Sequence, residues 1–169
     1  MKRLILATLL FGSVSIFTFI ACNKDNSAYR LNVKLTDAPG AYEEVNLDIQ
    51  SVKVNLRNDS SAWIGLDTHA GIYNLLGFQN GVDTLLATGT LPGNFVQEIR
   101  LYLGTNNTIK VGGQIYPLET DNGTQIKLMI KVNKVIKTLD SLTIDFDASL
   151  SVVDEGNNTY RLSPVITIK

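Results

Sequence analysis

An all-β fold is the class this sequence predicts: a single sandwich of immunoglobulin or transthyretin type, or an open barrel, of about seven to nine strands. Three observations predict it. Apolar side chains recur at every second position over most of residues 29–169, the runs are rich in Val, Ile and aromatic residues, and Gly, Asn and Pro separate them. Period two buries one side of a strand, and β-branched side chains fit a pleated surface better than a helix. Helical patterning is confined to Ile72–Phe78 and Val82–Thr88, which predicts one or two very short helical turns.

The first strand opens at Tyr29, where Tyr29, Leu31, Val33 and Leu35 alternate with Arg30, Asn32, Lys34 and Thr36. "DAPG" then turns the chain, with Pro39 fixing φ. The next run, "EEVNLDIQSVKVNL", changes parity: Val45, Leu47 and Ile49 belong to one phase, Val52, Val54 and Leu56 to the other. One extra residue at Gln50–Ser51 restores a single apolar side, as in a β-bulge, or else the strand crosses between sheets there. Further strands are expected at Trp63–Leu66, Phe95–Leu103, Ile109–Val111 with Gln114–Tyr116, Gln125–Val132, Leu142–Val153 and Thr159–Lys169. Gly112-Gly113 suits a two-residue hairpin, Pro92-Gly93 a type II turn, and "DEGNN" at Asp154–Asn158 joins the last two strands.

The N-terminus reads differently. Lys2 and Arg3 precede an uncharged stretch, Leu4–Ile20, that ends at Ala21. Basic start, apolar middle and small boundary residue predict a secretory signal peptide over residues 1–21. Cys22, the single cysteine, follows at once, and "FIAC" resembles a bacterial lipobox with Phe19 where Leu is common. That resemblance implies cleavage before Cys22 and lipid attachment to its thiol. An uncleaved apolar anchor, or cleavage without lipid, are the alternatives. Residues 22–28 then form a polar tether carrying the acylated cysteine, and residues 29–169 one β-sandwich domain. Asn23 after the cysteine resembles sorting to the outer membrane of a Gram-negative bacterium, and Lys24-Asp25 resembles surface-export signals, so the periplasmic and surface sides both stay open.

Removing residues 1–21 also removes Lys2 and Arg3, leaving 13 basic side chains against 16 acidic ones. The linear sequence holds no basic run, so nucleic acid is not an expected partner. The expected partners are the membrane, through the lipid, and a glycan or envelope protein. With one cysteine, no intramolecular disulfide can form.

The stretches "LTDAPGAYEEVNLDIQSVKVN", "LPGNFVQEIRLYLG" and "DFDAS…YRLSPVI" resemble a bacterial and archaeal family called domain of unknown function 4382, across about residues 29–168. The resemblance implies a secreted or lipid-anchored, all-β protein. The family has no assigned activity, so no catalytic residue carries over.

Chemistry-bearing residues are few. His69, the only histidine, lies in "DTHAG", a solvated loop by its composition, and no nucleophile elbow, HExxH or phosphate-loop motif accompanies it. Asp145 and Asp147 sit at i and i+2, on one side of a strand, and belong to its polar side with Thr143 and Ser149. With Asp37, and with Glu43, Glu44 and Asp48 nearby in sequence, they are the candidates for calcium, which takes six to eight oxygens. No cofactor is expected otherwise. Trp63, Tyr73 and Tyr102 are the candidates for an aromatic platform, although a tryptophan flanked by "SA" and "IGL" is expected in the core. These features favour a non-catalytic binding or envelope-structural module with no catalytic residues. The alternatives are a glycan hydrolase built on paired carboxylates and a surface-assembly subunit that exchanges a strand such as Arg161–Lys169.

Overall fold

Alternating apolar positions become strands almost everywhere in the computed structural model, which describes residues 28–56, 63–120 and 126–169. The expected signal peptide, Cys22 and the tether up to Ser27 lie outside the described residues. Fourteen strands are described: β1 Tyr29–Asp37, β2 Glu44–Asn55, β3 Trp63–Gly65, β4 Asp67–Thr68, β5 Gly71–Asn74, β6 Thr84–Leu91, β7 Phe95–Leu103, β8 Thr108–Val111, β9 Gln114–Glu119, β10 Ile126–Val135, β11 Leu139–Phe146, β12 Val152–Gly156, β13 Thr159–Leu162 and β14 Ile166–Ile168. Two four-residue turns complete the fold, a 3-10 turn at Leu75–Phe78 and α1 at Ala148–Ser151.

The strands form two open sheets, so of the two expected architectures the chain adopts the sandwich. One sheet has the order β14-β11-β1-β6-β4; the other runs β10-β7-β2-β8-β9-β13-β12, with β3 and β5 also pairing with β2. Leu31, Val33 and Leu35 of β1, Leu142, Ile144 and Phe146 of β11, and Leu86 and Leu91 of β6 line the first sheet's inner side. Val45, Leu47, Val52 and Val54 of β2 and Ile99, Leu101 and Leu103 of β7 face them, and all belong to one buried cluster.

The parity change in β2 is a bulge. Its register with β7 shifts between Ile49 and Ser51, Gln50 turns outward, and Ile49 and Val52 both stay buried. The strand stays in one sheet throughout. At the β8–β9 hairpin Gly112 and Gly113 have φ of 58° and 78°, the left-handed pair that a type I′ turn needs and that glycine adopts without a Cβ clash.

Three expectations need correction. Val82–Thr88 is not helical: from Thr84 the chain is strand β6, lodged between β1 and β4, because pairing on both edges outweighs a weak local preference. Leu142–Val153 is not one strand. It leaves the first sheet at Phe146, turns through α1 and enters the other sheet as β12. Thr159–Lys169 divides likewise into β13 and β14, in different sheets. Pro164, which has no N–H for a ladder, lies in the break, and Ser151 holds it, its carbonyl accepting the Ser163 amide at 2.7 Å and its Oγ the Val165 amide at 2.8 Å. These divisions, together with β4, β5 and β6, raise the strand number above the expected range.

Candidate functional site

Of the acids singled out in the sequence, Asp37, Asp145 and Asp147 come together at one end of the first sheet. β1 and β11 run parallel, with Thr36 opposite Asp145 and Asp37 opposite Phe146. Asp37 is buried. Its Oδ1 accepts the Ala148 amide at 2.8 Å and its Oδ2 accepts Gln79 Nε2 at 3.1 Å. Burial pushes its carboxyl above the usual range; the two hydrogen bonds partly offset this, and the charges of Asp147 and Asp145 add to it.

Asp147 is not on the strand's polar side as its spacing suggested. The strand ends at Phe146, and Asp147 is the N-cap of α1, its Oδ1 accepting the Leu150 amide at 2.9 Å. Asp145 is also not a solvated charge: its side chain is 13 % exposed and Oδ2 lies 2.6 Å from Lys169 Nζ. Each carboxylate is thus engaged by a donor from its own chain. Among the described residues no group of three or more His, Cys, Asp or Glu is arranged to hold a metal ion. A shallow groove of about 360 Å³ borders this end, lined in part by Thr36, Asp37, Asp83 and Lys169, and Asp83 is paired with Lys34 at 3.1 Å.

Glu43 and Glu44 both face Lys110, at 3.9 and 3.2 Å. Asp48 is buried in β2 and has a structural task. Its backbone N–H donates to Asn107 Oδ1 at 2.9 Å, its Oδ2 accepts the Asn106 amide at 3.2 Å, and its carbonyl accepts the Gly104 amide at 2.7 Å. A Cβ at Gly104 would stand 2.2 Å from Asp48 Oδ2, so only glycine lets the β7–β8 loop close on that carboxylate. His69 is exposed in the connection between β4 and β5.

The aromatic candidates separate. Tyr73 pairs across from buried Leu47, packs against the core and Phe78, and donates its hydroxyl to the His69 carbonyl; burial raises its pKa. Trp63 and Tyr102 stand together on the outer side of the larger sheet. Trp63 is therefore half-buried outside the core cluster, contrary to the expectation for it. The sheet's register explains the placement. Across β10, β7 and β2, one row reads Lys127, Tyr102, Ser51, the next Met129, Arg100, Lys53, and the third Lys131, Glu98, Asn55, with Trp63 of β3 beyond Asn55.

Cations and rings alternate in this arrangement. The Arg100 guanidinium lies 3.7 Å from the Trp63 ring centroid, and the ammoniums of Lys53 and Lys127 lie 5.1 and 5.9 Å from that of Tyr102. Arg100 Nε and Trp63 Nε1 have no hydrogen-bond partner among the described residues, so ring–cation attraction holds this pair. Lys53, Arg100, Lys127 and Lys131 form no ion pair among the described residues, although Glu98 lies on the same side. Sequence reading missed these four cations because they come from three strands and are never adjacent in the chain. The available signal was parity: Arg100 and Tyr102 share one side of β7, Lys127, Met129 and Lys131 one side of β10. Arg100 lies over the Trp63 ring and Lys53 and Lys127 near the Tyr102 ring, so these rings hold positive charge in place.

No curated protein and no solved structure matches the chain. Residues 29–164 match the family described as "Domain of unknown function (DUF4382)", which covers nearly all of the described fold. The chain belongs to that domain-of-unknown-function family.

Proposed function

We propose that this chain is an exported, lipid-anchored envelope module without catalytic residues, which binds an acidic polysaccharide on the outer side of its larger sheet. One observation carries the reading: Lys53, Arg100, Lys127 and Lys131 are gathered on one face with no ion pair among the described residues, and two rings fix three of them. Like charges gathered without counter-charges repel one another, and a bound polyanion relieves that repulsion. Arg100 and Lys53 lie opposite each other on neighbouring strands, about 4.8 Å apart, and Lys127 and Lys131 flank them on β10, so a polyanion laid across the three strands meets all four. The N-terminal reading supports the location: Lys2 and Arg3, the apolar Leu4–Ile20 and the lone Cys22 at its boundary.

The full chain should bind polygalacturonate or dextran sulfate, weaken with salt, and ignore neutral dextran. Lys53→Glu combined with Lys127→Glu and Lys131→Glu should abolish binding while leaving the melting temperature nearly unchanged. Equal binding of neutral dextran, or unchanged binding by the triple variant, would overturn the reading. In cells, Cys22→Ser should leave an unprocessed precursor that takes up no labelled palmitate; normal processing and acylation would remove the lipid anchor from the proposal.

The hydrolase alternative has one observation in its favour, the raised Asp37 carboxyl beside the shallow groove. Product release from a glycan by the wild type, lost in Asp37→Asn, would put that reading first.

A further inference from the structure

The sandwich has two ends, and one of them combines the start of the described chain with exposed apolar side chains. β1 begins there: Tyr29 lies opposite Leu91, Arg30 opposite Leu139, and the Arg30 amide donates to the Thr138 carbonyl at 2.8 Å. The chain crosses between the sheets at the same end, from β10 to β11, where the Ile136 amide donates to the Asn94 carbonyl at 2.6 Å and Val135 lies opposite Phe95. Three large apolar side chains emerge here, Val135 at 63 %, Leu139 at 64 % and Phe95 at 38 % exposure. Arg30 and Lys137 are exposed beside them. The nearby carboxylate, Asp140, is already engaged, accepting from the Lys137 and Ser141 amides and pairing with Lys134 at 3.4 Å.

We infer that this end of the sandwich rests on the lipid surface that carries the acylated Cys22. The inference rests on the lipid-anchor part of the proposed function and adds the orientation of the domain. Cys22 precedes Tyr29 by seven positions. An extended chain spans at most about 3.3–3.6 Å per residue, so the anchor holds this end within about 25 Å of the bilayer. Apolar side chains flanked by cations suit that boundary: Val135, Leu139 and Phe95 enter the region between headgroups and acyl chains, while Arg30 and Lys137 meet lipid phosphates. The tether is too short to bring the opposite end down without leaving these groups in water. The larger sheet's outer side, with its four cations, then stands upright beside the membrane, open to a polymer approaching along the surface.

The sequence supplies a clean probe site, since acylation of Cys22 consumes the only native thiol. An environment-sensitive dye is attached to Leu139→Cys and, separately, to Ile115→Cys, in the full processed protein reconstituted in phosphatidylglycerol-containing vesicles. Ile115 is equally exposed, at 64 %, and lies in the β8–β9 hairpin at the opposite end. The dye at position 139 should shift to the blue and be quenched by spin-labelled lipid, and the dye at 115 should do neither. Protein that washes off the vesicles overturns the anchor, and the orientation with it. Retained protein whose two dyes read alike overturns the orientation alone. A blue shift at 139 that appears without vesicles and grows with protein concentration assigns the patch to a second copy of the chain, and likewise overturns the inference.

Discussion

The carboxylates at the Asp37 end and the cations on the outer side of the larger sheet are handled in opposite ways. Asp37 and Asp147 accept directed donors from the same chain, two amides and a glutamine. Asp145 pairs through Oδ2 with Lys169, while its buried Oδ1 has no hydrogen-bond partner among the described residues. Lys53, Lys127 and Arg100 lie beside ring faces and form no ion pair among the described residues. A carboxylate that accepts backbone N–H groups has become part of the framework, and a ligand would have to displace those bonds first. An ammonium beside a ring keeps its N–H donors, because the ring attracts its charge without accepting them as an oxygen would. Charge alone therefore does not mark a binding surface. What the charge is already bonded to decides.

Substitutions can break this comparison, starting with what the two regions share. Ile144 lies under Asp145 and Leu101 under the Arg100–Tyr102 pair, and both are fully buried in the same cluster. Ile144→Ala and Leu101→Ala should each cost about 2–5 kcal/mol, read by urea denaturation, with one transition in both cases. Separate transitions would show two cores. A smaller effect tests the partners themselves. Asp37→Ala strips the buried Ala148 amide of its acceptor and should cost about 1–3 kcal/mol, whereas Lys127→Ala should stay within about 0.5 kcal/mol. Similar losses at both would erase the distinction between framework and available charge.

The smallest effect is a slope in pH. Burial raises Asp37, so protonation favours its folded state; its contribution is complete below the unfolded-state pKa and is lost as pH rises through the folded value. Wild type should therefore lose stability relative to Asp37→Asn from acid to neutral pH. Asp140 should slope the other way. Burial pushes it up too, but the amides of Lys137 and Ser141 and the Lys134 charge outweigh this and lower it. Its contribution is present above the unfolded pKa and is lost as pH falls through the folded one. Relative to Asp140→Asn, then, wild type should gain as pH rises. Parallel slopes for the two pairs would contradict the assignment.

Much of the fold was legible where the signal is local. Alternation marked β1, the parity change marked the Gln50 bulge, and Gly112-Gly113 marked the β8–β9 hairpin. The sheet switches after Phe146 and Leu162 were not legible, because apolar residues continue on both sides of each break. Only the capping role of Asp147 and the missing N–H of Pro164 divide those runs, and neither states which sheet follows. The candidate surface was the least legible part. Trp63 was expected in the core because its neighbours are small or apolar, and nothing within its own stretch indicates that Arg100 will lie against its ring. The acids were found, but their roles depend on Ala148, Gln79 and Lys169, which come from other elements.

The parallel pairing of β1 with β11 also sets an order of events during folding. The Ala148 amide that closes Asp37 lies 111 positions later in the chain. Until those residues arrive, β1 can pair with β6 but leaves its other edge open. Joining ends so far apart is slow, and long-range pairing of this kind delays folding. An open apolar edge in the meantime is a template for unwanted strand pairing. The folding chain is therefore most vulnerable to aggregation in the interval between the pairing of β6 and the arrival of β11, and a holding chaperone in the compartment where it folds would have its greatest effect there.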